Sequence, residues 1–496
     1  MFKKLKALLF TNQTTRQTVA KNTFWLTVSD FGGRLLRAAV IIYAARVLGV
    51  IGWGTFSYAI TLAAFLTIFI DFGISSIITK EASKHQGKKH LAEIISTSFF
   101  LKLALLSLGT YIVIFIAPHV TTIEEAKAIF PIVALIMIFD AMRQFGFSVN
   151  RALEKMEVEA GLFILTNICI VVVGFLFLYL HPTVKSFAVA YAIGTGIGMA
   201  ATFYALRKNL EGIFSNFSFK LMRPILSAAW PFAVSGLLGI LMINTDILII
   251  GWLGTTEDVG LYSAANRIIQ VIYMFPGILA LSVLPSLTRF ATENPEKMKR
   301  AIERIVTLAY SIAIPTAIGG VILGRQFITA TFGASYAPGA LSFQILMLTL
   351  LVDFPAVILS NVVFAYNRQR NLVVNAAIGG FLNVALDILL IPRFGIAGSA
   401  VATLIAQLVS NRYLWHIARK NVNFEILPHL KKIIGATLLM APASWLFLIS
   451  GMNVFMNIGL SVAIYFLLLY RFKEPTLEEI RLVIHPESPR ETSTIQ

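Results

Sequence analysis

Residues 158–180 read VEAGLFILTNICIVVVGFLFLYL. At about 1.5 Å per helical residue such a run crosses the roughly 30 Å of hydrocarbon in a bilayer. It must do so as a helix, because lipid offers no partner to an open backbone. Working outward, comparable stretches fall at 22–46, 54–78, 93–117, 127–149, 184–206, 224–252, 259–285, 301–323, 340–366, 371–391, 396–417, 433–449 and 453–471. The reading is an all-α polytopic membrane protein with 14 transmembrane helices. Composition agrees, since 57% hydrophobic against 13% charged is far from the balance of a soluble domain.

Basic residues set the orientation. Thirty-one of the 41 lysines and arginines fall on one side, before the first span, in the even-numbered gaps or the span ends beside them, or in the tail, among them Lys3, Lys4, Lys6, Lys80, Lys84, Arg207, Lys208, Lys220, Arg223, Arg419, Lys420, Arg481 and Arg490. The opposite gaps hold Lys127, Lys185, Arg325 and Arg393, with Arg46 at a helix end. The positive-inside rule then puts both termini in the cytoplasm of a cell inner (plasma) membrane. The net charge of +16 is thereby topology, and no nucleic-acid partner is expected, because the cations are spread over short loops. The first run contains Asp30, Arg34 and Arg37 and reads as a retained span, with no short apolar core and cleavage site of a signal peptide.

The chain is internally doubled. Leu48-Gly49 precedes Gly54-Thr55-Phe56-Ser57-Tyr58-Ala59, and Leu253-Gly254 precedes Gly260-Leu261-Tyr262-Ser263-Ala264-Ala265. Asp140 and Asp353 stand at nearly the same offset, each before a basic exit. The expected organisation is therefore a cytoplasmic segment 1–21, an N-terminal lobe of six helices over 22–206, a cytoplasmic linker 207–223 and a C-terminal lobe of six over 224–417. Helices 13 and 14 follow in 418–471, then a cytoplasmic tail 472–496. Two such lobes usually enclose a cavity and work by alternating access.

Charges at membrane depth are the candidate site. An ionisable group near the bilayer centre costs at least about 2.5–3.5 kcal/mol, so it normally faces a bundle interior or a wet cavity. Asp30, Arg34 and Arg37 share one helix face by their spacing. Lys102 and Arg267 have no opposite charge three or four residues away. Cations unpaired within their own helices suit an anionic cargo, and a diphosphate is gripped well by arginine. Arg34, Arg37, Lys102 and Arg267 are the expected cargo-binding cations. Asp30, Asp140, Asp246 and Asp353 are candidates for ion coupling or charge pairing.

Enzyme chemistry is not expected. No G-x-x-x-x-G-K-[ST] loop occurs, the seven histidines lie in or near loops without metal-ligand spacing, and Cys169 stands alone. Gly194-Thr195-Gly196-Ile197-Gly198 lies inside an apolar helix, where glycines permit close helix packing. No cofactor is expected beyond a coupling ion, H+ or Na+.

Several segments in order carry a family resemblance: Lys21-Asn22-Thr23-Phe24-Trp25, Gly33-Arg34-Leu35-Leu36, Ala45-Arg46-Val47-Leu48-Gly49, Asp71-Phe72-Gly73-Ile74, Asn244-Thr245-Asp246, Leu261-Tyr262-Ser263-Ala264-Ala265-Asn266-Arg267, Leu284-Pro285-Ser286-Leu287 and Phe394-Gly395-Ile396-Ala397-Gly398. Over its first twelve spans the chain resembles the polysaccharide flippases of the multidrug/oligosaccharidyl-lipid/polysaccharide exporter superfamily. The resemblance implies a two-lobed flippase that moves undecaprenyl-diphosphate-linked oligosaccharides to the outer leaflet. Arg34 and Arg267 match arginines of the superfamily's lipid II flippases, Arg37 stands where those have glycine, and a further arginine of theirs aligns near Val40. That departure favours an O-antigen, capsule or exopolysaccharide unit over lipid II as cargo. Implied partners are the lipid-linked oligosaccharide, membrane lipid, and a polysaccharide polymerase and glycosyltransferases. The alternatives are a cation-coupled multidrug exporter on the same architecture, a lipid II flippase, and a non-transporting scaffold for glycan assembly.

Overall fold

The computed structural model describes residues 15–82 and 88–474. Lys3, Lys4, Lys6, Lys84, Arg481, Arg490 and most of the segments 1–21 and 472–496 lie outside the described residues. Among the described residues there are helices and connecting turns and no strand. In chain order the main helices are α1 (Thr15–Asp71), α2 (Ile74–Ala82), α3 (Lys88–Tyr111), α4 (Phe130–Ala152), α5 (Met156–Leu180), α6 (Val184–Leu206), α7 (Phe219–Ile243) and α8 (Thr245–Leu253). There follow α9 (Thr256–Ile272), α10 (Met274–Glu293), α11 (Pro295–Phe332), α12 (Ala340–Leu348), α13 (Leu350–Ala365), α14 (Gln369–Asn421), α15 (Leu427–Ile449) and α16 (Val454–Arg471).

Twelve helical runs among the described residues are long and apolar enough to cross a membrane. Two of these are double crossings. Gly49 bends α1 with φ of 69°, and Gly395 bends α14 with φ of 57°, both left-handed conformations that a Cβ disfavours. Counting each bent run twice gives about the fourteen spans expected. Other expected spans are broken in mid-course: Asn244 parts α7 from α8, Tyr273 parts α9 from α10, and Thr349 parts α12 from α13. Large apolar side chains stand exposed along the runs, including Phe115, Val172, Leu180, Leu438 and Leu467. Water would penalise such a surface, whereas hydrocarbon accepts it.

The described chain divides into two compact units. The first comprises Met1–Val271, Thr331–Gly339 and Gly380–Ala402; the second comprises Ile272–Ala330, Ala340–Gly379 and Thr403–Gln496. The lobes expected at 22–206 and 224–417 follow the repeat in the sequence. The compact units follow packing, and group α7, α8 and nearly all of α9 with α1 to α6.

Within the first unit α5 lies along α1 and α6, and α4 packs on α6. Small residues make this possible. A Cβ added at Gly194 would fall 2.6–2.7 Å from Ile170, and one at Gly198 would fall 2.1 Å from Thr166 Oγ1. The glycine-rich run of α6 is thus a helix-packing face, as its apolar context suggests. The two glycines that mark the internal repeat also meet. A Cβ at Gly54 would lie 2.1 Å from Thr256 O and 2.9 Å from Gly260 N, and one at Gly260 would lie 2.1 Å from Val50 O. The matched segments therefore touch backbone to backbone.

Replacing Gly198 by Val should force α5 and α6 apart and destabilise the protein by about 1–3 kcal/mol. The unfolding temperature of detergent-solubilised protein measures it, and an unchanged value would rule out the close α5–α6 contact.

Candidate functional site

The polar face of α1 enters the first unit at Asp30. Arg34 Nε donates to Asp30 Oδ1 at 2.9 Å, one helical turn away, and both side chains remain about half exposed. Arg37 lies one turn deeper and has no carboxylate partner among the described residues. Its Nε donates to Asn167 Oδ1 of α5 at 2.9 Å, and its guanidinium lies 5.9 Å from the ring centre of Tyr191 on α6. Asn167 is fully buried and donates its own Nδ2 to Phe163 O at 2.7 Å, which turns its oxygen toward the arginine. Gly33 lets α1 come this close: a Cβ there would lie 2.4 Å from Phe163 Cε1 and 2.7 Å from Asn167 Nδ2.

Two further arginines reach the same place. Arg143 of α4 is buried, pairs with Asp140 at 2.5 Å and lies 5.0 and 5.8 Å from the ring centres of Phe147 and Phe163. Its Nε and Nη1 are buried without a hydrogen-bond partner among the described residues. Arg267 of α9 donates from Nη1 to Gln270 Oε1 at 3.2 Å, and its buried Nε has no partner among the described residues. A neutral amide is therefore the only hydrogen-bond acceptor that either Arg37 or Arg267 has among the described side chains.

These groups line one cavity of about 380 Å³, within the range of small-molecule sites. Four guanidiniums, Arg34, Arg37, Arg143 and Arg267, face it with two carboxylates, Asp30 and Asp140. If all are charged the excess is two positive charges, equal and opposite to a diphosphate diester. Gln144, Gln270, Phe163 and Phe332 complete much of the wall. A second chamber of about 340 Å³ adjoins it and shares Asp30, Arg143, Gln144 and Phe163.

Not every expected site residue is here. Lys102 of α3 is 1% exposed, its Nζ lies 2.7 Å from Asp71 Oδ1 and 3.4 Å from Ser75 Oγ, and it lines neither chamber. The partner missing within its own helix comes from the end of α1. Asp246 of α8 sits elsewhere in the first unit, buried, accepting from Tyr262 Oη and from Asn383 Nδ2. Asn383 also donates to Asp387 at 3.4 Å, so one amide serves two buried carboxylates. Asp353 lies in the second unit, where Asn411 Nδ2 donates to it at 2.8 Å. Val40, the position aligned with a further arginine in lipid II flippases, is fully buried against α5 near Gly174 and does not face the cavity. No group of three or more His, Cys, Asp or Glu side chains gathers to hold a metal among the described residues.

The profile of a family described as polysaccharide biosynthesis protein matches residues 19–291, and the MatE profile matches residues 231–389. A probable low-salt glycan biosynthesis flippase of Haloferax volcanii, Agl15, is 24% identical over 79% of this chain and 82% of its own. A putative O-antigen transporter of Shigella flexneri is 19% identical over 78% of this chain and 94% of its own. Among solved structures, the lipid II flippase MurJ in an inward closed conformation superposes with a TM-score of 0.74 at 18% identity, covering 91% of this chain and 99% of that one. An inward-facing multidrug resistance MATE family transporter gives a TM-score of 0.62 at 15% identity, covering 85% and 98%. The last two likenesses concern the fold.

Removing Lys102 alone should leave Asp71 without its cation and cost about 3–5 kcal/mol, the usual penalty for breaking a buried pair. Lys102→Met should lower the amount of folded protein in membranes, and Lys102→Met with Asp71→Asn should recover much of it. Full glycan export by the double variant would confirm that this pair is structural; folded but inactive double variant would return Lys102 to the cargo site.

Proposed function

The chain belongs to the polysaccharide biosynthesis protein family, and from that premise we propose that it is a flippase carrying diphosphate-linked oligosaccharides across the plasma membrane. The observation that supports it most is the excess of guanidinium over carboxylate in the first cavity. Relatives described as a glycan biosynthesis flippase and an O-antigen transporter support an O-antigen, capsule or exopolysaccharide unit as cargo. The diphosphate is held by Arg37 and Arg267, with Arg34 at the entrance and Arg143 in the wall, while the prenyl chain stays in lipid. Arginine suits this task because its planar fork matches phosphate oxygens in pairs. The protein binds, encloses and releases its cargo and makes or breaks no covalent bond.

Charge balance shapes the cycle. A doubly charged diphosphate neutralises the cavity, so the loaded carrier crosses the field with little net charge in its site. The empty cavity is cationic, and a membrane potential negative inside draws it back toward the cytoplasm, by about 2.3 kcal/mol per charge for each 100 mV crossed. The basic loops support cytoplasmic termini, with the second chamber, which Arg151 lines, on the cytoplasmic side of the first. Ion coupling, by H+ or Na+, is assigned to Asp246 with Asp387, because two carboxylates buried beside one amide need a proton or a cation to offset their repulsion. Asp30 and Asp140 are committed to Arg34 and Arg143.

The multidrug exporter reading shares the fold but requires the opposite cavity sign, since its cargo is cationic. A lipid II flippase shares the diphosphate and differs in the glycan. Arg37→Ala and Arg267→Ala should each reduce surface glycan at least about tenfold at equal membrane protein, and Arg267→Lys should retain part of the activity because charge persists without the fork. Unchanged export by both alanine variants would sink the assignment, and dye resistance conferred by the wild type would favour the exporter. Asp246→Asn should abolish the dependence of liposome flipping on an imposed H+ or Na+ gradient while leaving diphosphate-lipid binding intact; persistent gradient dependence would move the coupling site elsewhere.

A further inference from the structure

The second chamber differs in chemistry from the first. It is lined by hydroxyls, an amide, an arginine–glutamate pair and the rings of Phe147 and Phe163, beside the Asp30 and Arg143 that it shares with the first. Nearly all of its polar groups are already committed. Ser29 Oγ donates to Leu26 O at 3.0 Å, Ser148 Oγ to Phe145 O at 2.7 Å, and Ser75 Oγ to Asp71 Oδ1 at 2.5 Å. Arg151 and buried Glu159 are joined through Nε, at 2.9 and 3.0 Å, and Nη2, at 2.5 Å. Asp30 is held by Arg34. Arg143, with Nε and Nη1 unpartnered among the described residues, faces both chambers and belongs to the cation set. Gln144 is the neutral group left uncommitted: it is exposed on α4 between the buried residues 141–143 and 145–150, and has no hydrogen-bond partner among the described residues. Its amide lies in the wall common to both chambers.

We propose that the second chamber is a subsite for the first sugar of the cargo, and that Gln144 is the residue that reads it. This rests on the reading of the first cavity as the diphosphate site. The sugar ring is bonded directly to the diphosphate, so a cargo held by Arg37 and Arg267 must place that ring next to the cation chamber. An uncommitted amide offers a donor and an acceptor together, the complement of a sugar hydroxyl or acetamido group and a poor match for an anion alone. Phe147 and Phe163 supply the apolar wall that the ring's C–H face requires. Arg151 and Glu159 cancel one another, and Asp30 and Arg143 are shared with the first cavity, so the chamber adds no net charge of its own and its ligand is a neutral sugar. Enclosing the diphosphate without its sugar leaves that amide unpaired, so Gln144 favours glycosylated cargo over a diphosphate diester of equal charge that lacks the sugar.

The test uses full-length protein in nanodiscs with undecaprenyl diphosphate capped by a methyl group or by a single glucose, galactose or N-acetylglucosamine, four diesters of equal charge. Wild type should bind at least one of the glycosylated lipids about tenfold more tightly than the methyl ester, the worth of one well-made hydrogen-bonded contact. Gln144→Ala and Gln144→Leu should bring that ratio to about one, and Arg267→Ala should weaken all the ligands together. Gln144 is exposed, so the variants should unfold at the wild-type temperature, which is measured alongside. A preference for sugar that survives in both Gln144 variants, or no preference for any of the three sugars in wild type, overturns the subsite while leaving the diphosphate site standing. Failure of wild type to bind any of these lipids overturns the diphosphate site and the subsite with it.

Discussion

Two guanidiniums held at membrane depth by neutral amides are the constraint around which the first unit is arranged. Arg37 leans on Asn167, and Arg267 on Gln270. An amide fixes a side chain's direction without cancelling its charge, so the positive potential stays available to a ligand. Had either residue been opposite a carboxylate, as Arg34, Arg143 and Lys102 are, the same geometry would have made an inert structural pair. The surrounding packing serves this placement: Gly33 brings α1 against Phe163 and Asn167, and Asn167 is pinned by the backbone of its own helix.

The cost of such a site explains its seclusion. Unpaired cations are expensive in a low dielectric, and the guanidinium nitrogens without partners on Arg143 and Arg267 mark where that cost is carried. A cargo with two negative charges relieves it, and the relief is differential binding between loaded and empty carrier. A carrier needs that difference, since a ligand shifts a conformational equilibrium only by its unequal affinity for the states. The buried pair Asp246 and Asp387 is a second charge problem of opposite sign within the same unit.

Much of the fold was legible in the sequence because lipid enforces a simple rule of length and hydropathy. Even the bends at Gly49 and Gly395 fall in the gaps between apolar runs. Helix breaks at Asn244, Tyr273 and Thr349 were not, because they interrupt spans without altering composition. At the site, the shared face of Asp30, Arg34 and Arg37 followed from helical spacing alone. Lys102 shows the limit of helical spacing: its partner, Asp71, is 31 residues away on another helix, and spacing within one helix is blind to it. Arg143 stands three residues after Asp140, yet its place in the cavity wall depends on how α4 is rotated. Asn167, Gln144 and Gln270 were harder still, since a lone amide in an apolar span carries no mark of what it faces.

The most direct measurement is an experimental structure of the protein with a prenyl diphosphate bound. The account expects phosphate oxygens about 2.7–2.9 Å from the guanidinium nitrogens of both Arg37 and Arg267, with the prenyl chain leaving toward lipid. A diphosphate found on the basic loops, or a cavity holding a cationic molecule between Asp30 and Asp140, would contradict it.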